Sequence, residues 1–170
     1  LETRELRGNV PTRLRKFHDG QYDALLLATA GLERLGLGEH IVERIDPDVL
    51  TPAPAQGAVA IQTRVDDART RSWVERINHP ATLRTTAAER RFLNVVEGGC
   101  QAPVGALARP EGDALVLRAR VASLDGTRTV HGVERGPASD PEALGERLAN
   151  RLLAEGADAI LDEIRRSLPS

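Results

Sequence analysis

The segment around the single cysteine is the part of this sequence best suited to chemistry. Cys100 is the only cysteine among 170 residues, and it stands in the stretch Glu-Gly-Gly-Cys-Gln-Ala-Pro, residues 97–103. A thiolate is the reactive form of cysteine, and the two glycines allow the backbone to turn and leave the sulfur approachable. An unpaired cysteine is also commonly a small buried hydrophobic residue. The segment alone therefore leaves both a functional thiol and a core residue open.

Arginine dominates the basic side chains, because Lys16 is the one lysine among 23 basic residues. A guanidinium group binds a carboxylate through two parallel hydrogen bonds, so this supply suits a pocket for a ligand with several carboxylates. Coding bias explains the overall excess of arginine without any such pocket. The arginine content therefore permits a polycarboxylate site without locating it.

Composition narrows the classes of function. The net charge is -2 and aromatic residues make up 2% of the chain, so a nucleic acid would find neither a basic surface nor stacking partners. A single cysteine forms no internal disulfide, and no paired Cys and His spacing indicates zinc, so we expect no metal and a cytoplasmic location. The sequence has neither an apolar run of about 18 residues nor an export signal, so we expect no membrane association.

The first part of the chain, residues 1–51, has the pattern of an α/β layer. Residues 6–9 read as the end of a strand, and Pro11 then begins a helical pattern that ends at Gly20. Residues 23–28 form a continuous apolar run, which predicts a buried parallel strand followed by a helix. We interpret this part as one edge of a doubly wound α/β sheet.

The middle part, residues 52–79, is interpreted as a crossover or hinge segment. Three prolines within eight residues lead into it and hold the chain extended. Residues 57–63 alternate in polarity and predict a strand. Asp66 and Asp67 follow, and acidic residues at this place predict a capped helix start rather than a catalytic carboxylate pair.

The last part, residues 80–170, is predicted to be a compact α+β domain. Glycines end a helical pattern over residues 81–96, and a long helical region after Asp140 is interrupted at Gly156. Between these helices lie three strand candidates separated by turn signals, which predicts a three-stranded antiparallel sheet covered by helices on one face. The strand candidates are residues 104–108, 114–122 and 127–134.

Four stretches, spread over nearly the whole chain, carry a family resemblance. They are Leu-Arg-Gly-Asn-Val-Pro-Thr-Arg-Leu (6–14), Tyr-Asp-Ala-Leu-Leu-Leu-Ala-Thr-Ala-Gly-Leu-Glu-Arg-Leu-Gly (22–36), Pro-Ala-Gln-Gly-Ala-Val-Ala-Ile (54–61) and Glu-Arg-Arg-Phe-Leu-Asn-Val-Val-Glu-Gly-Gly-Cys-Gln-Ala-Pro-Val-Gly (89–105). Together they resemble the motifs of the porphobilinogen deaminase family, also called hydroxymethylbilane synthase, and the last stretch is the most specific. Ala55 replaces a usual glycine and Ala102 a usual β-branched residue; both are small apolar changes.

The resemblance implies roles for particular residues. Cys100 would hold a covalent dipyrromethane cofactor through a thioether, and Arg7, Arg13 and Arg34 would bind the acetate and propionate groups of the pyrrole chain, with Gln56 as a further cofactor-binding residue. The placement of the arginines agrees with this, because each follows a predicted strand, and ligands of open α/β sheets bind beyond the carboxyl ends of strands. All three would then face one cleft.

The resemblance also implies an activity for the complete enzyme. It would condense four porphobilinogen molecules into hydroxymethylbilane with release of ammonia, in porphyrin and haem biosynthesis, and would act as a monomer. Residues 1–51 would be the second half of a periplasmic-binding-protein-like domain. The family's catalytic aspartate belongs to an N-terminal part that these residues do not match, and Asp23, Asp66 and Asp67 do not correspond to it. We therefore expect the isolated 170 residues to be inactive without that N-terminal part.

Two other hypotheses remain open on the sequence alone. The chain could be a non-catalytic anion-binding module, or a split subunit that needs a second chain. It could also be a thiol redox protein built around Cys100.

Overall fold

The computed structural model describes residues 2–97 and 102–167 and divides into two compact units, residues 1–45 and 46–170. The helices are α1 (Val10–His18), α2 (Thr29–Arg34), α3 (Ala68–Glu75), α4 (Pro80–Val95), α5 (Pro141–Leu152) and α6 (Asp158–Ser167). The strands are β1 (Val104–Glu111), β2 (Ala114–Ala122) and β3 (Thr129–Pro137). None of the described helices is long and apolar enough to cross a membrane.

The first unit consists of helices α1 and α2 and a short 3-10 helix, Gly38–His40. Asn9 begins α1, because its side-chain oxygen accepts the backbone N–H of Thr12 at 3.0 Å, and Pro11 stands within the first turn. Both features stabilise a helix start, since the first turn has N–H groups without intrahelical partners. The helix predicted after Pro11 is therefore confirmed.

The three strands predicted outside the C-terminal part are not formed within the described residues. Residues 6–9, 23–28 and 57–63 are irregular, and Leu26 is 64% exposed rather than buried. A strand exists only when a neighbouring backbone offers hydrogen bonds, and none of the described segments pairs with these three. An apolar run indicates a tendency to be buried, but it does not supply that neighbour.

The predicted three-stranded antiparallel sheet is confirmed in the second unit, with strand order β1-β2-β3. The first strand extends to Glu111, and the third begins two residues later than predicted. Gly112 and Gly126 lie in the two connecting turns with φ of 59° and 71°. These left-handed conformations suit glycine, so the turn signals in the sequence located the strand ends correctly.

The hydrophobic core lies between one face of this sheet and helices α4, α5 and α6. Alternate residues of β2 are buried against the helices, which is the period of a sheet with one covered face. The largest fully buried side chains of the core are Phe92, Val96, Leu115, Leu117, Val121, Leu144, Leu148, Leu152 and Leu161. This core fixes the position of α4, the helix that precedes the Cys100 segment.

The predicted helix boundaries of this unit are also confirmed. Asp67 accepts the N–H of Thr70 at 2.9 Å and begins α3, as its acidic pair predicted. His79 and Asp140 cap α4 and α5, and each is followed by a proline in the first turn. Gly156, with φ of 110°, separates α5 from α6. Only glycine adopts this φ without strain, so the break follows from the residue type.

The outer edge of β1 is protected by two groups from other segments. The N–H of Ala106 donates to the carbonyl of Pro52 at 2.9 Å, and the N–H of Ala108 donates to Oε1 of Glu89 at 2.8 Å. The second carboxylate oxygen of Glu89 accepts the N–H of Ala55 at 2.7 Å. An exposed strand edge is a template for unwanted pairing, so these acceptors stabilise the sheet and close its edge.

Gly145 allows α4 and α5 to touch, and this yields a stability prediction. A Cβ at Gly145 would lie 2.3 Å from the carbonyl oxygen of Ala88. In Gly145→Ala this overpacking should cost roughly 3 kcal/mol, against about 1 kcal/mol gained in helix propensity. We expect a net loss of about 2 kcal/mol in the free energy of unfolding, measured by urea denaturation. The control is Gly38→Ala, where a Cβ meets no atom within 4 Å. Equal stability of the two variants would contradict the packing.

The buried carboxylate of Glu89 predicts a pH dependence. Burial raises its pKa above the ordinary value of 4.5, and the N–H groups of Ala108 and Ala55 offset part of the increase. The folded protein therefore holds this proton more tightly than the unfolded chain. The resulting contribution to stability is complete below about pH 4.5 and is lost as the pH rises through the raised pKa.

Denaturant unfolding from pH 4 to pH 8 measures this contribution. The free energy of unfolding of the unmodified chain should fall with rising pH relative to that of Glu89→Gln, which has no carboxyl to titrate at this position. If the free energy of unfolding of the unmodified chain rose with pH relative to that of Glu89→Gln, the pKa of Glu89 would be lowered by folding and not raised.

Candidate functional site

Gln56 lies in a tight turn whose backbone is unusual. The N–H of Gln56 donates to the carbonyl of Ala53 at 3.1 Å, and the N–H of Ala58 donates to the carbonyl of Ala55 at 3.1 Å. Ala55 has φ of 60° and Gly57 has φ of 85°, so Gln56 stands between two left-handed residues. Such a conformation in alanine persists only where the surroundings determine it. The turn therefore presents an exposed Gln56 amide from a defined backbone.

Glu89 accepts a hydrogen bond from this turn. Glu89 is 4% exposed, and its carboxylate accepts the N–H of Ala55, the residue immediately before Gln56. Its other oxygen is held by Ala108 of β1. Sequence reasoning did not identify Glu89, because its two partners lie 34 and 19 positions away along the chain. The sequence offered no local signal, since a glutamate in a helix is usually solvated.

Arg7 and Arg13 flank a turn in the first unit. Gly8 has φ of 121°, and a Cβ there would lie 2.8 Å from the side chain of Thr12, so the turn requires glycine. Nε of Arg13 donates to the carbonyl of Gly8 at 2.7 Å, which holds this arginine over the start of α1. Arg7 is exposed and pairs with Glu5 at 3.0 Å. An exposed pair of this kind is weak, so Arg7 can exchange Glu5 for a ligand carboxylate.

Arg13 also lines a cavity of about 290 Å³ in the first unit. The polar part of its wall comes from Arg13, Arg4 and Tyr22, and apolar side chains including Leu25 complete it. Arg7 and Arg34 are not among the described residues that line this cavity, so the structure does not bring the three predicted arginines together there. The sequence did not distinguish Arg4, because arginine is so frequent in this chain.

Arg34 ends helix α2 and is exposed. The preceding residue, Glu33, pairs with Arg44 at 2.6 Å, so this carboxylate is held by a different arginine. The strand predicted before Arg34, residues 23–28, is not formed, so the placement of Arg34 beyond a strand end stays a prediction.

Cys100 and its neighbours, residues 98–101, lie outside the described residues. The structure does describe the chain that leads to them, because α4 ends at Val95 and Glu97 has a left-handed φ of 51°. Nη2 of Arg165 on α6 donates to the carbonyl of Val96 at 3.4 Å and lies 3.5 Å from Glu97. A cation thus stands three or four residues before the cysteine, and it comes from a helix far away in sequence.

Arg91, one of two arginines upstream of the cysteine in sequence, is directed elsewhere. Its Nη2 donates to Glu146 of α5 at 2.7 Å, and this bond raises the pKa of the guanidinium. Its role is to join two helices of the core.

Among residues 2–97 and 102–167 no group of three or more His, Cys, Asp and Glu residues could hold a metal ion.

The described residues offer polar groups that can bind anions and hydrogen-bond donors. Guanidinium groups at residues 7, 13 and 34 suit carboxylates, and a primary amide at residue 56 both donates and accepts. These groups lie in different units, Arg7, Arg13 and Arg34 in residues 1–45 and Gln56 in residues 46–170. None of them supplies a general acid or base.

Comparison with known proteins identifies two family domains in the chain. Residues 1–72 match the porphobilinogen deaminase, dipyromethane cofactor binding domain, and residues 83–154 match the porphobilinogen deaminase, C-terminal domain. These matches fit the α/β plus α+β organisation predicted from the sequence, with the antiparallel sheet in the second domain.

Individual relatives cover nearly the whole chain. The porphobilinogen deaminase of Roseiflexus sp. (strain RS-1) is 51% identical over 157 residues, which are 92% of this chain and 52% of that protein. The porphobilinogen deaminase of Desulforudis audaxviator is 52% identical over 165 residues, or 97% of this chain and 53% of that protein. The chain spans about half the length of the curated relatives it matches. On both family domains and on these identities, the chain belongs to the porphobilinogen deaminase family.

Proposed function

We propose that this chain is part of a hydroxymethylbilane synthase, a transferase that condenses four porphobilinogen molecules into hydroxymethylbilane with release of ammonia. The observation that carries this proposal is the pair of family domains over residues 1–72 and 83–154, one of them described by its dipyrromethane cofactor. The activity is proposed for the complete protein, because the chain spans about half the length of its relatives. The enzyme acts in the cytoplasm, in porphyrin and haem biosynthesis.

Cys100 holds the dipyrromethane cofactor through a thioether in this proposal. When bound, the group supplies the primer to which porphobilinogen units are added. Helix α4 supports the attachment, because its burial in the core fixes the chain that enters the cysteine segment. Arg165 on α6 holds Val96 and Glu97, the last residues described before that segment, and it also pairs with Asp162 at 2.7 Å. The thiolate is the nucleophile that the attachment requires.

Arg7, Arg13 and Arg34 bind the carboxylates of the pyrrole chain, and Gln56 hydrogen-bonds to the cofactor. The residues present fit such a ligand in kind. Each pyrrole carries an acetate and a propionate, and planar guanidinium forks are the side chains that bind carboxylates in two-point geometry. Arg7 is exposed and only weakly engaged by Glu5, and Gln56 is exposed on its turn. These residues bind and orient the ligand, and none of them moves a proton.

The division into residues 1–51, 52–79 and 80–170 remains part of the proposal. Residues 52–79 act as a crossover or hinge segment that returns to the N-terminal domain outside these residues, and the gap between the family matches, residues 73–82, overlaps its end. The catalytic aspartate is assigned to the N-terminal part of the complete polypeptide, outside these 170 residues. The complete enzyme is a monomer.

The covalent cofactor gives the first test. The intact mass of the complete protein, purified from cells that make tetrapyrroles, should exceed the mass of its sequence by one dipyrromethane. Cys100→Ser should show the sequence mass alone and no porphobilinogen turnover, because serine is a far weaker nucleophile than a thiolate. An unmodified and readily oxidised thiol in the active protein would favour the redox alternative and refute the proposal.

The guanidinium of Arg13 gives the second test. Arg13→Lys keeps the charge but loses the planar fork, so kcat/KM for porphobilinogen should fall by roughly tenfold to a hundredfold, as for the loss of one hydrogen bond to a charged group. Arg15→Lys is the matched control, because Arg15 is exposed on the same helix two residues further on. Equal effects of the two substitutions would remove Arg13 from the site.

A further inference from the structure

Glu89 is the buried carboxylate of the second unit whose two oxygens join two different segments. Oε1 accepts the N–H of Ala108 in β1 at 2.8 Å, and Oε2 accepts the N–H of Ala55 at 2.7 Å. A carboxylate is the side-chain group that can accept on both oxygens at once, since an amide of the same size has one acceptor and one donor end. Charge strengthens both bonds in these surroundings.

The segment before the turn is held by contacts that do not involve Glu89. Asp48 pairs with Arg118 on β2, and Nη1 of Arg120 donates to the carbonyl of Val49 at 3.2 Å. Ala106 of β1 donates to the carbonyl of Pro52, as described above. Residues 48–52 therefore lie against the sheet whatever happens at Glu89. The turn at residues 54–57 has a different anchor.

That turn depends on Glu89 for its one described hydrogen bond to α4. The two bonds inside residues 53–58 close the turn but do not fix it against the rest of the unit. Ala55 holds a left-handed φ of 60°, which alanine leaves readily when nothing determines it. The bond from Ala55 to Glu89 supplies that determination, one residue before Gln56.

We propose that Glu89 is a positioning residue that fixes the turn carrying Gln56 against helix α4 and strand β1. The same helix leads to the cysteine segment, with Glu89 eleven positions before Cys100. One carboxylate thus fixes the backbone next to Gln56 relative to α4, the helix that precedes the cofactor cysteine in sequence. The positioning role for catalysis rests on the proposed function, whereas the fixing of the turn does not.

Amide hydrogen exchange in the 170-residue chain tests the fixing of the turn. In Glu89→Gln one of the two acceptors becomes a donor, and in Glu89→Asp the shorter side chain cannot span both N–H groups. In both variants the exchange of the Ala55 and Ala58 amides should accelerate by about tenfold or more, as expected for a lost charge-assisted bond. The amides of Leu115 and Leu117 in the core should keep their protection. Glu146→Gln should leave residues 53–58 unchanged.

Two exchange results overturn the proposal. Unchanged exchange at Ala55 and Ala58 would show that the turn holds itself, and equal acceleration in the turn and in β2 would show a general structural role. If a variant fails to fold, the hydrogen bond can be tested in the unmodified chain. NMR measures the coupling across this bond, between the Ala55 amide nitrogen and the Glu89 carboxyl carbon. That coupling is expected, and its absence at pH 7 overturns the bond.

Turnover in the complete protein tests the catalytic consequence. Glu89→Gln should lower kcat/KM for porphobilinogen by about tenfold at a temperature well below the thermal midpoint of the variant, where the cofactor-loaded protein is fully folded. A fall in kcat/KM that follows the thermal midpoint would overturn the positioning role. The failures are distinguishable, because an unmodified protein without turnover refutes the proposed function and leaves the exchange result standing.

Discussion

A single buried carboxylate connects a helix, a strand and a turn of the second unit. Glu89 lies in α4 and accepts one N–H from β1 and one from the turn before Gln56. Removing a carboxylate from water is costly, and its raised pKa shows that the two N–H groups only partly offset that cost. In return, the carboxylate closes the free edge of β1 and holds the irregular segment at Ala55 against α4.

The geometry of the sheet explains why a carboxylate is suited to this place. The inner face of β2 is covered by helices, and its partner β1 has one edge without a strand. Pro52 and Glu89 provide carbonyl and carboxylate oxygens where a fourth strand would have provided carbonyls. The sheet is thereby completed without a flat exposed edge, and Pro52 and Ala55 are tied to β1 and α4.

The sequence predicted the parts of the fold that local patterns determine. Helix α4, the three strands and the break at Gly156 follow from periodicity, turn residues and a required positive φ. Residues 23–28 were predicted wrongly, because an apolar run does not supply the neighbour that a strand needs. Glu89 and Arg165 were missed since their partners are distant along the chain. The roles of Cys100 and the arginines rest on resemblance and stay predictions, and chemistry alone left the cysteine undecided.

A double-mutant cycle tests most directly whether Glu89 acts on catalysis through the turn of Gln56. The measurement is kcat/KM for porphobilinogen in the complete protein, for Glu89→Gln, Gln56→Ala and the double variant. Residues that act as one unit give non-additive effects, so the double variant should lose little more than Gln56→Ala alone. If the fold loss in kcat/KM of the double variant equalled the product of the two single losses, Glu89 and Gln56 would act independently, and Glu89 would not act through this turn.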